Sequence, residues 1–157
     1  MTVEYSGLDK NVMHEYKLNC KRAGAKNLAT VINDNYPYKI EPLVVTFVPT
    51  SGKHVRWRGF DHAKALAESS AGFRGWRIRP MLIKRKSTSQ ASANRETRKK
   101  QIQGAYQVSN RKMVKGASIL LIDDVVTTGA TIEACTKQLY YAGAKSVEVL
   151  AFARTPN

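Results

Sequence analysis

The sequence predicts an α/β domain whose mostly parallel sheet is flanked by helices, and three observations carry that prediction. Apolar runs of strand length alternate along the chain with helix-length amphipathic stretches. The run "SILLIDDV" at 118–125 has no polar alternation ahead of its acids, the pattern of a strand buried on both faces of a parallel sheet. It then passes through Asp123-Asp124 and a Thr127-Thr128-Gly129-Ala130-Thr131 turn into a helix, and in an open α/β sheet ligands bind at that edge, beyond the carboxyl ends of the strands. A chain of 157 residues makes one domain, residues 1–157, with a single core.

The elements follow in order. Residues 9–34 place apolar side chains at Val12, Met13, Tyr16, Leu28, Val31 and Ile32 around an interruption at Gly24, which reads as one broken helix or two short ones. "EPLVVTFVPTS" at 41–51 is an apolar strand that stops at Pro49. "FDHAKALAESS" at 60–70 is a helix capped by Asp61, with Ala63, Leu66 and Ala67 inward. "WRIRPMLIKRK" at 76–86 is a strand candidate broken by Pro80, and "GAYQVSN" at 104–110 is a second short strand. After the strand at 118–125, residues 129–144 form a helix whose apolar positions Ile132, Cys135 and Leu139 are spaced three and four apart and whose left-handed stop is Gly143. "SVEVLAFAR" at 146–154 closes the chain as a strand.

Composition narrows the function classes. At 43% apolar and 24% charged residues the chain is an ordinary globular protein rather than a disordered one. The N-terminal stretch has no signal-like apolar region, and no apolar run approaches a membrane span, so a cytoplasmic location is expected. Cys20 and Cys135 stand far apart, form no C-x-x-C pair, and read as small buried hydrophobes. The net charge of +14 is concentrated: residues 74–115 hold thirteen Lys or Arg against one acid, Glu96. Such a patch suits phosphates, on a small molecule or on a nucleic-acid backbone. It includes "RETRKK" after the Ser-rich "STSQASAN", which reads as a mobile loop or arm.

Two adjacent carboxylates at a strand end face repulsion and desolvation unless hydroxyls, a metal or water accept them. The turn at 127–131 offers backbone N–H groups, three hydroxyls and the positive end of a helix dipole, the ingredients of a phosphate cradle. Acids beside such a cradle suit a sugar phosphate, with its diol toward the acids and its phosphate in the turn.

"ILLIDDVVTTGAT" at 119–131 resembles the phosphoribosyl pyrophosphate (PRPP) motif of the type I phosphoribosyltransferases. A closer resemblance covers residues 12–155. "RGFDHAKALA", "STSQASANRETRKKQIQGAYQV" and "LLIDDVVTTGATIEACTKQLYYAGAKSVEVLAFART" are similar, in that order, to the signature blocks of the ComF family, phosphoribosyltransferase-like proteins associated with competence for DNA uptake. The chain departs from that pattern in places. The family usually has Arg-Gly-Phe-Asn-Gln where this chain has Arg58-Gly59-Phe60-Asp61-His62, and Asn at Gln101; the four-cysteine zinc ribbon of many members has no counterpart in this sequence.

The resemblance implies a type I phosphoribosyltransferase fold with a flexible loop or hood, and it assigns roles. Asp123 and Asp124 would hold the ribose hydroxyls directly or through Mg²⁺, residues 127–131 (Thr127, Thr128, Gly129, Ala130, Thr131) would wrap the 5′-phosphate, and Val125 belongs to the same PRPP-binding set. Ser51, Gly52 and Lys53 fall in the expected pyrophosphate loop, with Arg56 and Arg58 following, and Gln90, Arg95 and Arg98 match the flexible loop that closes over PRPP. Lys53 and Arg58 join the two acids as the expected catalytic set, stabilising charge on departing pyrophosphate. Purine-transferring relatives commonly have Asp where this chain has Thr127, which argues against a purine acceptor. His54 and His62 lie near the expected pyrophosphate loop, where an isolated histidine reads as a surface residue.

The partners expected are PRPP and pyrophosphate, with Mg²⁺ as cofactor, and either a second copy of the chain or proteins of the competence machinery. The alternative is a protein that handles single-stranded DNA during uptake through the basic region 74–115 and keeps the PRPP-type pocket as a sensor or structural site; Trp57, Phe73, Trp76 and Tyr106, near basic residues, are candidates for base stacking, although aromatics at such positions more often fill a core.

Overall fold

The computed structural model describes residues 44–52, 55–56, 59–85, 102 and 104–154. The helix or helices expected at 9–34, with Cys20, lie outside the described residues, as does the loop with Gln90, Arg95 and Arg98. Among the described residues nine elements follow one another: β1 (Val44–Phe47), α1 (His62–Arg74), β2 (Arg77–Ile78), β3 (Leu82–Lys84), β4 (Tyr106–Val108), α2 (Arg111–Val114), β5 (Ser118–Val126), α3 (Ala130–Tyr141) and β6 (Ser146–Arg154).

Strands β2, β1, β5 and β6 form one sheet in that order, and every neighbouring pair is parallel. The expected α/β architecture is therefore present. Central β5 alternates its side chains between two cores, as any strand must. Leu120 and Ile122 meet Val45, Phe47 and Leu150 under Leu66, Ala67 and Ala71 of α1. Ile119 and Leu121 meet Ala134, Cys135 and Leu139 of α3 on the other face. Burial on both faces is the reason its sequence shows no alternation.

The stretch 76–86 is not one strand. Pro80 lacks an N–H and cannot continue a ladder, so the chain divides there. β2 pairs with the edge of β1, and β3 leaves to pair antiparallel with β4 as a two-stranded ribbon covering the α3 side. Thr46 explains how the departure is fixed: this polar residue of an otherwise apolar strand is fully buried, and its hydroxyl accepts a hydrogen bond from the Met81 N–H at 3.2 Å. α1 extends four residues beyond the expected 70, ending where Gly75 adopts a left-handed φ of 63°. The short α2 was not anticipated; Asn110 caps it by accepting from the Lys112 N–H at 2.9 Å.

α3 ends as its sequence foretold. Gly143 has φ 94°, its N–H bonds the Tyr140 carbonyl, and the Ala144 N–H bonds the Leu139 carbonyl, which together make a Schellman cap. Among the described residues no helix is long and apolar enough to cross a membrane.

Candidate active site at the carboxyl edge of the sheet

The parallel pairing of β1 and β5 assembles the site. Phe47 lies opposite Ile122, and the Val48 N–H donates to the Ile122 carbonyl at 3.0 Å, so the residues that follow both strands emerge side by side. Thr50, Ser51 and Gly52 leave β1 at the edge where β5 presents Asp123 and Asp124. The acids are within the last turn of the strand rather than beyond it, because β5 runs on through Val125 to Val126. β6 reaches the same edge, with Ala151 opposite Asp123 and Arg154 opposite Val126.

The two carboxylates differ in environment. Asp123 is 8% exposed and Asp124 half-buried. Each turns back on the chain: Oδ1 of Asp123 accepts from the Asp124 N–H at 2.9 Å, and Oδ1 of Asp124 accepts from the Val125 N–H at 2.8 Å. By strand alternation Asp123 shares the α3 face with Ile119 and Leu121, but the alternation does not continue through Val125, which packs against the α1-side core with Leu120 and Ile122. The Cys135 thiol registers that placement. Burial pushes its pKa up to about 12, the Asp123 carboxylate adds to the rise, and the Lys84 ammonium opposes it. Lys84, on β3, also stands 5.3 Å from the Tyr106 ring centre.

The turn after β5 opens α3 on a glycine. Gly129 caps α3 with φ 76° and ψ −8°, a left-handed conformation that glycine adopts without strain. An added Cβ there would meet nothing within 4 Å, so the space beside the turn is open. Thr127 and Thr128 are exposed, Ala130 and Thr131 half-buried, and the Thr128 hydroxyl accepts from the Ala130 N–H at 3.4 Å.

After Ser51 the sequence predicts a turn, but the described residues Gly52, Val55 and Arg56 are helical: the Val55 N–H bonds the Ser51 carbonyl at 3.0 Å and the Gly59 N–H bonds the Val55 carbonyl at 2.8 Å, each four residues back. A Cβ on Gly52 would lie 3.6 Å from Nη1 of Arg56, which sets that guanidinium beside the turn. Lys53, His54, Trp57 and Arg58 lie outside the described residues. Asp61 caps α1 as expected, its Oδ1 accepting from the Lys64 N–H at 3.1 Å. It also holds Thr50, a role the sequence did not signal: Oδ2 accepts from the Thr50 N–H at 3.2 Å and Oδ1 from the Thr50 hydroxyl at 3.3 Å. His62 is buried, not superficial, and its ring lies 4.4 Å from that of Phe60.

The aromatic candidates divide. Tyr106 is buried in the α3-side core, Trp76 packs partly against the α1-side core under Arg74, and Phe73 is exposed. Among the described residues no three His, Cys, Asp or Glu side chains cluster as metal ligands. A cleft of about 440 Å³ between β4 and the far end of α3, lined by Arg85, Tyr106, Arg111, Gln138 and Tyr141, is separate from the carboxyl edge.

Comparison with known proteins agrees with this geometry. The family described as phosphoribosyl transferase domain matches residues 78–157, which include the acids and the turn. Competence protein ComFC of Streptococcus pneumoniae is 31% identical over 151 residues, 96% of this chain and 65% of the relative. The chain belongs to the phosphoribosyl transferase domain family, as a ComF-type member. The DNA utilization protein YhgH of Salmonella typhi is 30% identical over 107 residues, 67% of this chain and 46% of that relative. The chain thus spans about two thirds of the one relative's length and under half of the other's.

Solved structures show the same phosphoribosyltransferase fold. Glutamine PRPP amidotransferase from B. subtilis, complexed with ADP and GMP, superposes with a TM-score of 0.60 at 22% identity, over 83% of this chain and 26% of that one. A structure described as the allosteric regulatory enzyme of purine biosynthesis gives 0.57 at the same identity and coverage.

Proposed function

We propose that the protein binds PRPP at the carboxyl edge of its sheet and transfers the phosphoribosyl group to an acceptor, releasing pyrophosphate. The observation that carries the reading is the adjacency of the Thr50-Ser51-Gly52 turn, the Asp123-Asp124 pair and the Gly129 turn, three features with three different affinities for parts of one molecule. The 5′-phosphate takes the N–H groups and hydroxyls of residues 127–131 at the positive end of α3. The ribose hydroxyls face the two acids. The pyrophosphate lies along the first turn, near Arg56, with Lys53 and Arg58 from the same loop adding positive charge.

The donor set fits Mg²⁺ in one way. Among the described residues no third ligand joins the two carboxylates, and such a pair suits an ion that keeps its waters and completes its shell with substrate oxygens, directly or through water. Bound with PRPP, Mg²⁺ would supply charge compensation to the leaving pyrophosphate. The remaining chemistry is positioning: the C–O bond at the anomeric carbon breaks with its electrons going to pyrophosphate, charge develops on the ribose ring, and the acceptor's lone pair forms the new bond. Thr127 offers no carboxylate base, in keeping with an acceptor other than a purine.

The test is a calorimetric titration of PRPP with Mg²⁺ into the wild type and Asp124→Asn. Affinity falls at least about tenfold in the variant while its melting is unchanged; equal affinities would remove the carboxylates from the site.

A second reading, handling of single-stranded DNA, is favoured by the relatives' names, which refer to competence and DNA utilization, and by the basic surface. Arg74, Arg77, Arg79, Lys84, Arg85, Arg111, Lys112 and Lys115 are its described members. Fluorescence anisotropy with a labelled oligothymidylate should then show binding that weakens steeply between about 50 and 200 mM salt. Salt-insensitive binding, or none at low salt, contradicts that reading.

A further inference from the structure

We infer that Asp61 is a positioning residue for the pyrophosphate loop, a role distinct from its capping of α1; the inference rests on the PRPP reading above. One carboxylate meets three donors on two elements. Oδ1 accepts from the Lys64 N–H at 3.1 Å, which satisfies a first-turn amide of α1. The same oxygen accepts from the Thr50 hydroxyl at 3.3 Å, and Oδ2 accepts from the Thr50 N–H at 3.2 Å. Thr50 and Asp61 bracket the segment that carries Ser51, Gly52 and Arg56, so the carboxylate ties the residue that opens it to the start of α1.

The tie matters because of what the loop must do. Backbone N–H groups and cations that meet a pyrophosphate stabilise it most when they are held in place beforehand, since otherwise ordering them is charged against binding. β1 fixes the chain up to Val48 through the Val48 N–H bond to the Ile122 carbonyl. Pro49 follows and has no N–H to contribute to a ladder. Thr50 is therefore the first residue after the strand at which the loop's direction can be set by a hydrogen bond of its own N–H, and Asp61 supplies that bond. A charged acceptor makes it stronger than a neutral one would. α1 in turn is anchored by Leu66 and Ala67 in the core, so the loop is tied to a rigid element rather than to solvent-exposed chain.

Capping and positioning can be separated by substitution. Serine is as good an N-cap as aspartate, but its single, shorter side-chain oxygen cannot serve Lys64 and both donors of Thr50. Asp61→Ser thus keeps the helix start and cuts the tether, whereas Asp61→Ala removes both.

The experiment titrates the wild type, Asp61→Ser and Asp61→Ala with Mg²⁺-pyrophosphate and, separately, with ribose 5-phosphate, and records thermal melting of each. Asp61→Ser should melt close to the wild type, lose about tenfold in pyrophosphate affinity and bind ribose 5-phosphate unchanged, because the turn at 127–131 is not tied to Asp61. Asp61→Ala should show the same selective loss with lower melting. Equal loss of both ligands, or pyrophosphate affinity unaltered in Asp61→Ser, overturns the positioning role while leaving the PRPP site intact. A wild type that binds neither ligand overturns the PRPP reading and this one with it.

Discussion

Cys135 shows how closely a single side chain is coupled to the candidate site. It is fully buried on the inner face of α3, and burial, assisted by the Asp123 carboxylate, pushes its pKa up to about 12 from a usual value near 9. The sign of the pH effect follows. A thiol that must stay protonated in the fold, yet ionises in the unfolded chain, favours the folded state fully below about pH 9, and that contribution is lost progressively between pH 9 and 12. Urea unfolding of the wild type and Cys135→Ala should therefore show a stability difference that shrinks by about 1–2 kcal/mol between pH 8 and 10.5; a constant difference would mean that the thiol is not desolvated. The position of Asp123 and Asp124 at the carboxyl edge of the sheet was legible from their place after an apolar run. Their inequality was not, since it depends on which face α3 covers, and α3 is placed by contacts far apart in sequence. His62 illustrates the same limit: an isolated histidine reads as superficial, and only the packing of α1 buries it.

At the scale of elements, α3 has its two ends set by glycines with different consequences. Gly129 at its start and Gly143 beyond its end both have positive φ, 76° and 94°. Replacing either by alanine costs about 1–2 kcal/mol of backbone strain, since a Cβ meets nothing within 4 Å at Gly129 and only ordinary contact with Lys115 at Gly143. Both variants should lower the melting temperature, but only Gly129→Ala should weaken ribose 5-phosphate binding; a matching loss in Gly143→Ala would argue that the phosphate is held elsewhere. β5, α1 and α3 were readable because each carries its own period and its own stop signal. The stretch 76–86 was readable only to the extent that Pro80 breaks it. That β2 and β3 join different sheets is decided by partners, Val44 and Val45 on one side and the β4 ribbon on the other, which local sequence does not name. α2 escaped because four residues are too short to show a helical period.

For the molecule as a whole, the parallel order β2-β1-β5-β6 brings the segments that follow β1 and β5 to one edge, while the basic stretch 74–115 passes through β2, the β3–β4 ribbon and α2. The phosphoribosyltransferase fold could be read from β5 and the turn that follows because strand, acids, turn and helix start are contiguous in sequence. The tie between Thr50 and Asp61 could not, because the two residues are eleven positions apart and only the fold brings them together. The account's central claim is that this edge holds PRPP, and calorimetric titration of PRPP with Mg²⁺ tests it most directly. Saturable binding at one site per chain in the wild type, abolished in the double variant Asp123→Asn/Asp124→Asn with its fold retained, is the predicted result. No binding to the folded wild type, or equal binding to the double variant, would contradict it.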